Sequence, residues 1–404
     1  MSPLARRSAL VLGLLFGLVF AVGTGLMWYF DSPVYYAVTF AVAITLLQYA
    51  IGPLIIDWVF TIRWADPQEV SPEFADWYFA TANEIGIPAP RFGIINDGNP
   101  NAFTYGRTRG DARLIITSGL ADILTPEELR GVVAHELGHV RNRDFIVMTV
   151  AQAVPLVLYV LYVWTRDRGR NFSYGVAISI GAYLVYLLSQ FVVLSLSRVR
   201  EFFADESSAR ITGDPNSLSR ALIKICYGLA KQQEELARLE QEETGKKKKT
   251  AGMKSYMTSN GAAALGIANV KAASRFARST SDATGAFSET AMMNAMQWEL
   301  KNPWAKWFQL NSTHPLTVRR VMAMNEVAKR SGIAPTYALE GQKNPLQYTG
   351  NFALELLIYA LPVLTALAGV GVFISKFGVK DWYDMLAYAL IGFGPGWLVK
   401  TLLV

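Results

Sequence analysis

The chain has little cysteine and histidine, with one Cys and three His among 404 residues. The single thiol, Cys226, cannot form a disulfide within the chain, which is consistent with a reducing compartment. Ionisable side chains are also scarce inside the long apolar runs, where Glu355 and Lys400 lie near the run ends. A transporter or channel is expected to bury such groups at mid-membrane, so their scarcity argues against that class.

Apolar residues, in contrast, make up 52% of the chain. Long apolar runs cover residues 8–30, 34–60, 144–164, 173–196, 351–375 and 382–403. Each run reaches the roughly 20 residues that cross a hydrocarbon core. We therefore predict a mainly α integral membrane protein whose first two runs form an N-terminal hairpin.

Basic residues predict the orientation of this protein. Arg6 and Arg7 precede the first run, so the positive-inside rule places the N-terminus in the cytoplasm. Two crossings return the chain to that side, where residues 61–143 and 197–350 would lie. The rule disfavours the three arginines between the third and fourth runs, Arg166, Arg168 and Arg170. Whether those two runs cross fully or pack against the membrane stays open.

Two histidines belong to the stretch His135-Glu136-Leu137-Gly138-His139. Residues four apart share one face of a helix, so the two imidazoles could hold one metal ion while Glu136 lies beside a bound water. This is the H-E-x-x-H pattern of zinc metalloproteases. Thr125 followed by Pro126 predicts the start of the helix. We interpret Gly138 as leaving room for a substrate backbone near the metal.

A catalytic zinc needs a third protein ligand, and Glu201 is the best candidate. The fourth apolar run continues into this region, so Glu201 and Asp205 would lie one helical turn apart. Glu201 could bind the metal while Asp205 hydrogen-bonds a ligand imidazole. Spacing alone fits ordinary salt bridges with Arg198 and Arg200 equally well.

The sequence resembles the HtpX-type membrane zinc proteases, relatives of the CAAX prenyl endopeptidases. The N-terminal hairpin carries this resemblance together with four motifs: the 135–139 stretch with Asp144 after it, Glu201 to Asp205, Asn99-Pro100-Asn101-Ala102-Phe103, and Ser312-Thr313-His314-Pro315. The resemblance implies a zincin-like α+β cytosolic catalytic domain on a bundle of transmembrane helices. It also implies one Zn²⁺ held by His135, His139 and Glu201, with Glu136 as general base and with Asp205 and Asp144 as supporting residues.

A small β-sheet is predicted upstream of the histidine pair. Residues 91–96 and 113–117 have the composition of short strands, and Asn101, Ala102 and Phe103 would begin an edge strand. The resemblance implies that this edge strand binds an extended peptide beside the zinc. An exposed hairpin without a ligand is the alternative.

The third histidine, His314, precedes Pro315 and a helical stretch that contains Arg320. In relatives the matching pair approaches the active site, so we hypothesise that His314 and Arg320 stabilise the oxyanion of the tetrahedral intermediate. A histidine at the start of a helix also has a purely structural explanation.

These motifs predict the following domains: an N-terminal hairpin (1–60), the first part of the catalytic domain (61–143), an apolar hairpin (144–196), the second part of the catalytic domain with a mobile segment (197–350) and a C-terminal hairpin (351–404). We expect a quality-control endopeptidase in contact with the lipid bilayer, acting on membrane-protein or unfolded polypeptide substrates. The net charge of +6 fits an anionic lipid leaflet and requires no nucleic acid. A CAAX-type prenyl-protein endopeptidase is the alternative, followed by a non-enzymatic transporter or channel.

Overall fold

The structure, a computed structural model, describes residues 34–168, 172–226, 289–337 and 345–377, with single positions at 389, 393, 395, 397 and 401. The predicted spans at 8–30 and 382–403 lie outside these ranges, apart from the single positions, and so does most of the predicted mobile segment. The chain divides into two compact units: Met1–Leu300 with Phe308–Leu339, and Lys301–Trp307 with Glu340–Val404.

Helices make up most of the described chain. They are α1 (Val34–Val59), α2 (Pro72–Glu84), α3 (Ser118–Ile123), α4 (Pro126–Arg141), α5 (Asp144–Arg168), α6 (Phe172–Thr212), α7 (residues 215–226), α8 (Glu289–Lys301), α9 (Pro303–Leu310), α10 (Thr317–Arg330) and α11 (Pro345–Phe377).

Two of the described helices are individually long and apolar enough to cross a membrane, α1 over Thr39–Val59 and α11 over Phe352–Gly369. Only 11% of the first span and 6% of the second are buried within the chain, as expected of helices that face lipid. Helices α4 and α5 pass the same test only as a pair, and they are bent by 61° at their junction. The catalytic stretch predicted on α4 therefore leads directly into an apolar helix.

A four-stranded sheet lies beside these helices, with β1 (Arg63–Trp64), β2 (Arg91–Ile95), β3 (Ala102–Tyr105) and β4 (Arg113–Thr117) in the order β1-β2-β4-β3. Strands β2 and β4 are parallel, and each outer strand pairs antiparallel with its neighbour, which leaves β3 at one edge. Phe103 and Ile115 belong to a buried apolar cluster on this sheet. The prediction of a mainly helical membrane protein with a small β-sheet is confirmed.

Helix α4 begins where the sequence predicts. The Thr125 side chain accepts a hydrogen bond from the Glu128 backbone, the Glu128 carboxylate accepts one from the Thr125 backbone, and Pro126 occupies the first turn. The interpretation of Gly138 was wrong. A Cβ there would lie 3.0 Å from Ser207 Cβ and 3.2 Å from Ala204 Cα, so Gly138 allows α4 to pack closely against α6.

Helix α6 connects the apolar region to the candidate site. It runs without a break for 41 residues, past Glu201 and Asp205, and ends before Gly213, whose φ is 68°. Helix α10 buries an apolar face, which includes Val318 and Val321, and also buries Arg320 completely. These helices bring residues more than one hundred positions apart to the same place.

Candidate metal centre

Helix α4 places both histidines of its H-E-x-x-H stretch on one face. The Nε2 atoms of His135 and His139 are 3.1 Å apart, and their rings are nearly perpendicular. His135 is completely buried, and the His139 side chain is 16% exposed. Their ring nitrogens therefore converge on a point that is largely shielded from solvent and is exposed mainly beside His139.

Glu201 approaches this point from α6. Its Oε2 lies 3.6 Å from His135 Nε2, and its Oε1 lies 3.6 Å from His139 Nε2. One ligand atom from each of the three residues lies within 4.8 Å of the other two. Ligands that bind tetrahedral zinc at about 2.0–2.2 Å are roughly 3.3–3.6 Å apart. The three side chains are therefore spaced as a single metal ion requires.

The Glu201 carboxylate also has an oxygen without a hydrogen bond. Its Oε2 is buried and makes no hydrogen bond within the described part of the chain, although Nη1 of Arg320 lies 3.4 Å away. An orphaned carboxylate oxygen in the interior is costly unless a cation compensates it. This observation fits a metal ion bound by Glu201 and the two imidazoles.

Each imidazole is oriented by a second carboxylate. Asp205 Oδ1 lies 2.9 Å from His135 Nδ1, and Asp144 Oδ2 lies 2.6 Å from His139 Nδ1. Hydrogen bonds at Nδ1 leave Nε2 free to bind a metal, and they fix the orientation of the ring. Arg200, which could have formed an ordinary salt bridge with Glu201 or Asp205, pairs instead with Asp144.

Glu136 lies on the same helix and is oriented by the sheet. Its Oε2 accepts a hydrogen bond of 2.9 Å from the hydroxyl of Thr104 in β3. The residue is buried, with 3% of its surface exposed. Sequence reasoning missed Thr104, although it follows directly after the predicted edge-strand residues.

The family model of peptidase family M48 matches residues 75–328, more than half of the chain. The chain belongs to peptidase family M48. It is 36% identical over 232 residues to a protease HtpX homolog of Methanothermobacter thermautotrophicus, across 56% of this chain and 87% of that relative. It is 32% identical over 241 residues to a protease HtpX homolog of Thermococcus sibiricus, across 55% of this chain and 80% of that relative. The protein is thus a membrane metalloprotease, a peptide hydrolase.

A solved structure, the crystal structure of S. mikatae Ste24p, superposes with a TM-score of 0.44 at 14% identity. The superposition covers 80% of this chain and 65% of that chain. A similarity this weak bears on neither the fold nor the substrate of the M48 peptidase.

Arg320 occupies a different position in this M48 peptidase from the one expected of an oxyanion-binding group. Its guanidinium donates two hydrogen bonds to Asp205, and its Nη1 lies 3.4 Å from Glu201 Oε2. Only 1% of the residue is exposed. Arg320 therefore supports the acidic residues from behind, and this placement differs from the predicted contact with substrate.

His314 lies closer to the exposed side of the centre. Its Nε2 is 3.6 Å from Glu201 Oε1, and its Nδ1 is 2.9 Å from the Thr313 hydroxyl. The structure thus places all three histidines within reach of the same carboxylate.

The predicted substrate-binding residues are buried. Asn101 donates its backbone N–H to the Thr117 hydroxyl, and the Ala102 and Phe103 side chains are packed inside the domain. The side chains of these three residues are therefore not available to a peptide, which leaves the backbone of β3 and the partly exposed Thr104. Thr104 is the side chain of this strand that reaches the catalytic helix.

The protonation states of most of the centre suit metal binding. Burial opposes ionisation of Glu201, but the charges of His314 and Arg320 and the nearby imidazole of His135 hold the pKa of its carboxyl well below the usual value. Burial lowers the pKa of His139, which favours a neutral imidazole. Burial also opposes the charge on His135, but its partners Asp205 and Glu201 raise its pKa to about 9. A metal ion would displace that proton.

Proposed function

We propose that this protein is a zinc-dependent endopeptidase that cleaves membrane proteins, or unfolded polypeptides at the membrane, in segments close to the bilayer surface. The observation that supports it best is the convergence of His135, His139 and Glu201 from two helices on one point. In peptidases, catalytic zinc is bound by two imidazoles and one carboxylate, and its fourth position is open to water or substrate. Hard cations such as Mg²⁺ prefer oxygen ligands, so the two imidazoles favour zinc.

In this mechanism Glu136 is the general base. When bound, the zinc ion supplies Lewis acidity to a water molecule and to the scissile carbonyl. The Glu136 carboxylate accepts the proton of the attacking water and returns it to the departing amine. The hydroxyl of Thr104 holds one oxygen of Glu136 in place, which leaves the other free to receive the proton.

His314 is our candidate for stabilising the oxyanion. Its side chain is 17% exposed, and its Nδ1 contacts the Thr313 hydroxyl, so its Nε2 can donate a hydrogen bond into the centre. We assign Arg320 a supporting role, in which its charge holds Asp205 and Glu201 in the ionised form. Loss of zinc from a His314→Ala variant would instead indicate a fourth, displaceable ligand.

Proximity to the membrane supports the choice of substrate. Helix α5 begins at Asp144, five residues after His139, so the metal centre lies on the order of 10 Å from the start of an apolar helix. A substrate held by the same bilayer would have its cleavable segment near that height. We propose that residues 61–143 and 197–350 form a zincin-like catalytic domain on the cytoplasmic side. We also propose that the cellular role of the enzyme is protein quality control.

The experiment that tests this proposal uses purified full-length protein in liposomes with a model membrane protein as substrate. Cleavage is expected in the presence of zinc, and it should stop with a chelator and return when zinc is restored. The Glu136→Gln variant should bind zinc and fail to cleave. Cleavage by Glu136→Gln at the rate of the unmodified enzyme would contradict the mechanism. Cleavage confined to prenylated C-terminal peptides would favour the CAAX-type alternative.

A further inference from the structure

A cavity of about 360 Å³ lies between α5 and α6. Its wall includes Gln152 of α5, Gln190 and Ser197 of α6, and Thr313 of the segment that precedes α10. Volumes of about 300–1,000 Å³ are typical of sites that bind ligands. None of these residues belongs to the set that could hold the metal ion.

One end of the cavity adjoins the metal centre. Ser197 lies one helical turn before Glu201, and Thr313 contacts the ring of His314. This end of the cavity therefore lies about one helical turn from the metal centre.

The backbone at this end is held in place by Arg198. This buried guanidinium donates hydrogen bonds of 2.9 Å to the carbonyl of Gln309 and 2.8 Å to the carbonyl of Ser312. Arg198 comes from α6, as Ser197 does, so this helix both provides part of the cavity wall and fixes the segment that carries Thr313. The hydrogen bonds of Arg198 therefore fix the shape of this end of the cavity.

The far end is bounded by aromatic rings. Tyr159 of α5 and Tyr186 of α6 both line the cavity, and their ring centroids are 5.2 Å apart. From Tyr186 to Ser197 the cavity follows α6 for about 16 Å, at 1.5 Å per helical residue. That length accommodates about five residues of extended chain.

Two glutamines give the cavity its polar character. Gln152 and Gln190 lie on otherwise apolar helices and face the cavity from opposite sides. Gln152 is exposed and Gln190 is partly buried, so both side-chain amides are accessible to a ligand. A primary amide both donates and accepts, so it matches the N–H and C=O groups of an extended peptide. Polar side chains in an apolar helix bundle commonly mark a path for substrate.

We propose that this cavity binds the stretch of a membrane-protein substrate that connects its transmembrane segment to the scissile bond. The two amides hydrogen-bond the backbone of that stretch, which holds it without selecting particular side chains. The inference rests on the proposed endopeptidase function. It adds a binding site that a soluble substrate, which has no membrane segment, does not occupy.

The test compares two substrates that share one cleavable sequence: a soluble peptide, and the same peptide joined to a transmembrane helix. The full-length enzyme is assayed in liposomes as the Gln152→Leu/Gln190→Leu double variant. For the anchored substrate kcat/KM is expected to fall about tenfold, the loss of roughly one hydrogen bond to a peptide group. For the soluble peptide it should stay within about twofold. Gln48→Leu, which removes an amide from the neighbouring cavity between α1 and α5, should change neither.

A second variant, Val193→Phe, fills the same cavity without removing an amide and should slow only the anchored substrate. If every variant cleaved both substrates at the rates of the unmodified enzyme, the inference would be overturned. That result is expected if a lipid chain or another segment of the enzyme occupies the cavity. Equal losses for both substrates would indicate a structural role and also overturn it. Absence of chelator-sensitive cleavage of either substrate by the unmodified enzyme would instead refute the proposed function itself.

Discussion

The guanidinium of Arg320 donates hydrogen bonds of 3.0 and 2.5 Å to the carboxylate of Asp205. Both residues are almost completely buried. Asp205 in turn holds the Nδ1 of His135, so Arg320 acts on the metal centre through Asp205 as well as through Glu201, whose Oε2 lies 3.4 Å from its Nη1. When a buried ion pair loses one partner, the other charge is left uncompensated. Substitution of either residue should therefore lower the stability of the fold.

We expect Arg320→Ala to destabilise the protein by about 3–5 kcal/mol, because it removes the buried guanidinium that compensates the charge of Asp205 and leaves this carboxylate with only the His135 ring. The Asp205→Asn change should retain more stability and weaken zinc binding by about 10–100-fold, since Asp205 orients the His135 imidazole. Thermal unfolding and zinc titration in detergent measure the two effects. The neighbouring Arg319, which is partly exposed, serves as the control. Arg319→Ala should change neither quantity, and equal losses in both Arg variants would contradict the assignment.

Removal of the Thr104 hydroxyl is expected to affect catalysis and not metal binding. Thr104→Ala removes the hydrogen bond to Glu136, so kcat should fall by about tenfold while zinc content stays constant. Thr104→Ser keeps the hydroxyl and should restore most of the rate. Steady-state kinetics on a soluble peptide distinguish these outcomes. If Ala and Ser variants were equally active, Thr104 would have no part in orienting the base.

Gly138 predicts a packing defect. An alanine Cβ at this position would crowd Ser207 and Ala204 of α6, so Gly138→Ala should cost about 1–3 kcal/mol of stability. Gly52, on α1, has no atom within 4 Å of an added Cβ and provides the matched control. Thermal unfolding should show a lower midpoint for Gly138→Ala and an unchanged midpoint for Gly52→Ala. A neutral Gly138→Ala would show that α4 and α6 can separate at no cost.

Glu299 predicts a pH dependence of stability. Burial raises the pKa of its carboxyl to about 7, against an ordinary value of 4.5. Between these two values the folded protein keeps a proton that the unfolded chain has released. Stability should therefore fall as the pH rises from about 4.5 to 7, by on the order of 3 kcal/mol, and change little above that range from this cause. The free energy of unfolding, measured from pH 4.5 to 7, should fall less steeply in Glu299→Gln than in the unmodified protein. An identical pH profile for both proteins would contradict the assignment.

The sequence was sufficient for the local features of the site. Thr125 and Pro126 mark the start of α4 because capping depends on neighbouring residues, and the four-residue spacing of His135 and His139 places them on one face. Glu201 was different, since its spacing from Asp205 fitted an ordinary ion pair equally well. Its selection required the family resemblance.

The remaining contacts depend on tertiary packing. Thr104 meets Glu136 because β3 lies against α4, and Arg198 meets the carbonyls before His314 because α6 passes beside that segment. No periodicity in the sequence encodes such contacts. The same reason explains the wrong interpretation of Gly138, whose neighbours come from α6 rather than from a substrate.

The most direct test of the account is the zinc content and coordination of the purified protein. We expect one zinc per chain, bound by two imidazole nitrogens and a carboxylate oxygen in the X-ray absorption spectrum. Glu201→Gln should lower the zinc content strongly, whereas Glu136→Gln should leave it at one. A protein that binds no zinc, or one in which Glu201→Gln keeps a full complement with unchanged coordination, would contradict the central claim that these three side chains hold the catalytic metal.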